Sequence, residues 1–228
     1  MTRARHAPAE RRFSTVVFEF GGVLTTPMDD TARNFARDTG LPEDAYRQTV
    51  AVDPAGRELY ARLERGEITQ ERWNAEMGVR LGIDGTNLMG RALATLSPEE
   101  SVVAAAAAIR AGGVRTAVLS NSMGLFPHNP YGPWQLEECH DLVVLSEQHG
   151  MRKPEPGIYA LTLRLLGLPG TGCVFVDDNE ENLAPARALG MTTVHATSPA
   201  VTVARLQQFL PHIPGLETQA EVVRGGTS

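Results

Sequence analysis

Thr15-Val16-Val17-Phe18-Glu19-Phe20-Gly21-Gly22 is the stretch whose reading sets the fold. Five of its first six residues are β-branched or aromatic, one is an acid, and a glycine pair follows at once. A run of this kind, without in/out alternation, reads as a strand buried on both faces and ended by a tight turn. Four further short apolar runs repeat the pattern, over Arg115–Leu119, Asp141–Ser146, Cys173–Asp177 and Thr192–Ala196. Helical patterns lie between them. Ser101–Ala111, Ile158–Leu166 and Glu180–Leu189 each have glycine just beyond the end, and Val203–Leu210 is closed by Pro211. Apolar strands alternating with helices predict an α/β fold, a Rossmann-like doubly wound parallel sheet covered on both faces.

From Asp29 to about Leu96 that rhythm stops. No strand candidate appears, whereas Leu59 and Leu63, and then Trp73, Met77 and Leu81, recur four apart as one face of a helix requires. Thr69 is placed to cap the second of these helices. The pattern predicts a small helical cap inserted after the first strand. The expected division is an α/β core over 13–26 and 98–212, a cap over 27–97, and flexible tails over 1–12 and 213–228.

Composition narrows the functional classes. Across 228 residues, 42% hydrophobic and 21% charged is a globular balance and excludes a wholly disordered chain. Acids outnumber bases 27 to 21, a net charge of -6, which argues against a nucleic-acid partner. No apolar run nears the ~18 residues of a membrane span, and the first dozen residues lack the apolar segment of a signal peptide. Two cysteines, Cys139 and Cys173, suit a reducing compartment, so a cytoplasmic protein is expected. All of the basic side chains are arginine except Lys153. That exception points to a site needing a compact ammonium rather than a planar fork.

In doubly wound sheets the ligand lies beyond the carboxyl ends of the strands. Those ends supply Glu19 with Gly21 and Gly22, then Ser120 and Asn121, then Asp177 and Asp178, and the loop after the third strand brings Lys153. Carboxylates gathered at one edge repel unless a cation lies among them, and oxygen donors suit Mg²⁺. An ammonium and a hydroxyl beside them make a cradle for phosphate. A carboxylate at the end of the first strand is placed to attack phosphorus and form an acyl-phosphate. The stretch Met123–Trp134 follows directly, as a rim offering Phe126, His128, Tyr131 and Trp134 or as a proline-ordered surface loop. The six histidines show no zinc spacing.

Four segments in order also carry a resemblance: Val16 to Leu24, Leu119-Ser120-Asn121-Ser122, Met151-Arg152-Lys153-Pro154, and Val174 to Asp178 continuing to Asn182. Together they resemble the four motifs of the haloacid dehalogenase superfamily, close to the branch that includes the N-terminal phosphatase-like domain of soluble epoxide hydrolases. The resemblance implies a hydrolase of a small phosphorylated metabolite. It puts Glu19 at the nucleophile position, with Ser120 and Lys153 on the phosphate and Asn121 and Gly22 lining its site. It implies Mg²⁺ held by Glu19, the Gly21 carbonyl and Asp178, with Asp177 as a further or outer ligand, and Asn182 ordering the loop.

Two positions depart from the family pattern. Glu19 replaces an aspartate, lengthening the nucleophile's stem by roughly 1.5 Å, where a misplacement of about 1 Å costs ~10²-fold. Gly21 replaces the acid that would protonate the leaving group, a step worth ~10²–10⁴-fold. Three readings follow: a Mg²⁺-dependent phosphatase working through Glu19, a non-hydrolytic phospho-ligand-binding or regulatory protein, and a repurposed catalyst using Glu19 as general acid or base. Dehalogenation is disfavoured, because that reaction runs without metal in the superfamily and the Asp177-Asp178 pair keeps the metal end acidic. Neither the body of the substrate nor the oligomeric state has a signal in the sequence.

Overall fold

The computed structural model describes residues 12–216. β1 (Thr15–Phe18) is the central strand of a five-stranded sheet. β2 (Arg115–Ser120) and β4 (Cys173–Asp177) flank it, with β3 (Leu142–Leu145) outside β2 and β5 (Thr192–His195) outside β4. Every pairing is parallel, and Phe18 is level with both Val118 and Val176. Glu19 therefore emerges between the carboxyl ends of β2 and β4, where the strand order reverses and ligands bind in such sheets.

Between β1 and β2 the chain makes a helical insertion. It comprises α1 (Met28–Thr39), α2 (Ala45–Arg47), α3 (Pro54–Glu64), α4 (Gln70–Leu81) and α5 (Leu88–Ala92). These helices have a core of their own in which Phe35, Leu59, Leu63, Trp73, Met77 and Leu81 are buried. α4 shows why the sequence folds this way. The Thr69 hydroxyl accepts from the Arg72 N–H at 3.3 Å, the Trp73-Met77-Leu81 face turns inward, and Gly82 ends the helix at φ +68°. Removing the Trp73 ring would cost ~3–5 kcal/mol. The two linkers to the insertion are tied to each other: Thr25 and Pro98 form an antiparallel bridge, and the Thr26 N–H donates to the Ser97 carbonyl at 2.8 Å.

The remaining helices are α6 (Glu100–Ala111), α7 (Leu136–Cys139), α8 (Pro156–Leu166), α9 (Glu180–Ala188) and α10 (Pro199–Phe209). Val16 and Phe18 pack with residues of α6 and α10, whereas Val17 packs with residues of α8 and α9. A strand covered on both faces needs apolar residues at every position, which explains the lack of alternation in Thr15–Phe18.

Two boundaries differ from expectation. α10 begins at Pro199 rather than Val203, because the Ser198 hydroxyl accepts from the Val201 N–H and Pro199 suits the first helical position. The tail expected from 213 is packed through 216, since Ile213 and Leu216 are buried in the core. The rest of the expected tails, 1–11 and 217–228, lies outside the described residues. Among the described residues no helix is long and apolar enough to cross a membrane.

Candidate active site

Glu19 leaves β1 with its N–H donating to the Val176 carbonyl at 2.8 Å, and the chain enters a tight turn over Phe20–Leu24. The Glu19 side chain is buried. Its Oε1 accepts from the Gly21 N–H at 3.2 Å and from the Ser120 hydroxyl at 3.3 Å. Its Oε2 is paired with the Lys153 ammonium.

Lys153 is only 1% exposed, and its Nζ also donates to Asp177 Oδ2 at 2.6 Å. One cation thus bridges two buried carboxylates. Burial pulls the lysine below its ordinary pKa, while Asp177 and Asp178 favour the charged form. With Asp178 counted, three carboxylates meet one ammonium. That imbalance, together with an all-oxygen donor set, fits a divalent cation such as Mg²⁺. The side chains that could hold it are Glu19 and Asp178. Among the described residues no group of three His, Cys, Asp or Glu side chains is arranged to hold a metal ion.

Three of the expected site residues have partners within the protein. Asp177, expected as a further or outer metal ligand, has both oxygens engaged: Oδ1 accepts from the Asn179 N–H at 2.9 Å and the Asn182 amide at 3.0 Å, and Oδ2 accepts from Lys153. Asn121 was expected on the phosphate, yet its amide clamps the Lys153 backbone, accepting from the N–H at 2.8 Å and donating to the carbonyl at 3.1 Å. Gly22 was expected to line the phosphate, but its N–H donates to the Thr25 hydroxyl at 3.0 Å. Its glycine identity answers a different demand. At φ +75° an added Cβ would lie 2.4 Å from Asp178 Oδ2, so only glycine lets the turn approach that carboxylate. The Asp178 carboxyl pKa is raised by partial loss of solvent and by the Asp177 charge, against the pull of Lys153.

The stretch after Ser122 reaches the site more directly than a rim would. Tyr131 is buried with its hydroxyl 3.1 Å from the Ser120 hydroxyl, and burial raises its pKa. Phe20 packs against Tyr131 and Trp134 at 4.8 and 5.0 Å between ring centroids. Phe126, by contrast, is 72% exposed. The usable signal was aromatic: Phe20 directly after Glu19, and Tyr131 and Trp134 soon after Ser120.

A second set of residues joins the insertion to the core. The Ser146 hydroxyl accepts from the Ser122 N–H at 2.8 Å and donates to the Glu64 carbonyl at 2.6 Å. Glu64 pairs with Arg152 at 2.5 Å, and Arg65 pairs with Glu155 at 2.6 Å. Burial outweighs the ion pair and pushes the Glu64 carboxyl up to about 7. Between the insertion and the strand ends lies a cleft of about 780 Å³, with Tyr60 and Glu64 on one wall and Asn121, Arg152 and Asn182 on the other.

The family model for haloacid dehalogenase-like hydrolases matches residues 13–190. The chain belongs to this family. This haloacid dehalogenase-like hydrolase is 26% identical over 209 residues to a sesquiterpene phosphatase of Aspergillus oryzae, covering 87% of this chain and 97% of that protein. It is 29% identical over 209 residues to acyl-CoA dehydrogenase family member 10 of Mus musculus, covering 88% of this chain and 19% of that protein. It is 26% identical over 224 residues to bifunctional epoxide hydrolase 2 of Rattus norvegicus, covering 84% of this chain and 38% of that protein. The chain therefore spans well under half the length of the last two. In fold it is similar to a haloacid dehalogenase-family enzyme of Bacteroides thetaiotaomicron solved with magnesium and inorganic phosphate, at a TM-score of 0.59 and 19% identity, covering 80% and 93% of the two chains.

Proposed function

We propose that this hydrolase is a Mg²⁺-dependent phosphatase of a small phosphorylated metabolite, with Glu19 as nucleophile. The observation that carries the reading is the Glu19 carboxylate at the end of β1, joined to the Ser120 hydroxyl and the buried Lys153 ammonium. In the first step a Glu19 oxygen attacks phosphorus and the ester P–O bond breaks. The leaving alkoxide takes its proton from water, since Gly21 offers no side chain. Water then adds to phosphorus of the acyl-phosphate, releasing inorganic phosphate and restoring the carboxylate. Ser120 and Lys153 hold the phosphoryl oxygens through both steps, and Asn121 keeps Lys153 in place. Mg²⁺, held by Glu19, the Gly21 carbonyl and Asp178, would neutralise charge on the transferring group. The sesquiterpene phosphatase and the magnesium- and phosphate-bound relative support this reading. We take 13–26 and 98–216 as the catalytic core and 27–97 as the cap that selects the substrate. Two free cysteines, Cys139 exposed and Cys173 buried, suit a cytoplasmic setting.

A non-hydrolytic reading also has one observation behind it, because the Glu19 oxygens are already engaged by Gly21, Ser120 and Lys153. The variant Glu19→Asp separates the two. A phosphatase hampered by a long nucleophile gains one to two decades in kcat on a generic ester, ~1.4–2.7 kcal/mol of barrier. The readout is steady-state release of phosphate with and without Mg²⁺. Absence of turnover in both the wild type and the variant would overturn the phosphatase reading.

A further inference from the structure

The cleft beside Asn121 is far larger than a phosphate group needs. About 780 Å³ is the volume of a site for a whole small molecule. Arginines line it: Arg152 on the core side, and Arg47, Arg57 and Arg65 on the cap. Arg152 is balanced by Glu64, and Arg65 by Glu155. Arg47 and Arg57 are exposed and have no side-chain hydrogen bond or ion pair among the described residues.

Within the cap that pairlessness is particular to these two. Elsewhere in the cap Arg33, Arg62, Arg72, Arg80 and Arg91 each hold an acid, and Arg37 holds the Asn34 amide. Arg47 ends α2 and Arg57 lies in the first turns of α3, and the packing of that segment against α3 brings both to one wall. The acids lining the cleft outside the two ion pairs just named are Glu58, on the cap with them, and Glu181, on the facing wall. Both are exposed and solvated, so neither cancels the two guanidinium groups. A guanidinium presents a planar fork of donors matched to carboxylate and phosphate oxygens, and here two forks are free.

We propose that Arg47 and Arg57 bind a second anionic group, carboxylate or phosphate, on the body of a substrate whose ester phosphate is held at Ser120 and Lys153. The inference rests on the phosphatase reading and adds the substrate class: a phosphate monoester with a remote anion. Each arginine would trade bound water for one or two charge-assisted hydrogen bonds, so the effect falls mainly on KM.

The test uses matched esters on alkyl chains of three to eight carbons: plain alkyl phosphates, ω-carboxyalkyl phosphates and α,ω-bisphosphates. The wild type should prefer one anion-bearing series over the plain esters by ~10-fold or more in kcat/KM at the chain length that spans the cleft. Which series wins distinguishes a carboxylate from a phosphate. In Arg47→Met/Arg57→Met the preference should vanish through a rise in KM, with an unchanged melting curve. A wild type without preference at every length overturns the proposal, and so does a double variant that keeps it or loses all three series alike. Should no ester turn over, the phosphatase reading fails by itself. Calorimetric titration with the same bisphosphates and with inorganic phosphate then decides the arginine proposal. Tighter bisphosphate binding confined to the wild type sustains it, and equal binding by the variant overturns it.

Discussion

Inward from Asn182 on the core side of the cleft, the side chains are bonded to one another in a continuous chain. Asn182 holds Asp177, Asp177 holds Lys153, Lys153 pairs with Glu19, and Glu19 meets Ser120, which meets Tyr131. On the cap side Arg47 and Arg57 are exposed and unpaired. The first wall has paid in advance for orienting its charges, as a reacting centre requires. The second has kept its donors in water, where they can adapt to what enters. On the proposed function, this difference would keep the chemistry on rigid strand ends and leave selection to the helical insertion.

The largest test of that contrast is Lys153→Met. It removes the one cation from between Glu19 and Asp177, so kcat/KM should fall by ~10²–10³-fold or more. Stability should fall by ~3–5 kcal/mol, because two buried carboxylates lose their partner. Urea titration with phosphate-release kinetics reads both effects, and a variant with wild-type stability would show that the core wall is not a single bonded unit.

On the joint between the walls, Glu64 gives a pH test. Its carboxyl pKa is raised in the folded protein from 4.5 to about 7. The folded state therefore binds the proton more tightly than the unfolded chain. The associated stability is fully present below about pH 4.5 and is lost as pH rises through 7. Between pH 5 and 7.5 the wild type should lose up to about 3 kcal/mol relative to Glu64→Gln. Parallel slopes for the two proteins in chemical denaturation would show that Arg152 offsets the burial.

The smallest expected effect concerns the turn after Glu19. Gly22→Ala must hold alanine at positive φ and push aside Asp178, at ~1–3 kcal/mol. It should also remove any rise in Tm on adding Mg²⁺. An unchanged Mg²⁺ response would separate Asp178 from the metal.

The sheet was legible because β1 touches helices on both faces, and that burial is written as an unbroken apolar run. Lys153 was legible for another reason: in a chain otherwise basic through arginine, a lone lysine marks a demand for its geometry. The contacts of Asn121 with the Lys153 backbone and of the Gly22 N–H with Thr25 were not legible, because residue type does not reveal which of several near groups a short polar side chain or a turn N–H will choose. Tyr131 was visible as an aromatic, but its contact with Ser120 depends on the stretch folding over Phe20. Glu64 and Arg152 are 88 positions apart, and only tertiary packing sets that pair.

Because Lys153 is the chain's only lysine and is buried, the outside of the described molecule offers no ε-amine at all. Amine-directed acylating labels, amine cross-linkers and isopeptide-forming modifiers have one side-chain target, and it is shut inside the charged cluster at the strand ends. Apart from a terminal α-amine, each adduct such a reagent forms would record one opening of that cluster. The chain thus carries a built-in single-site probe whose labelling rate reports how often its interior meets solvent.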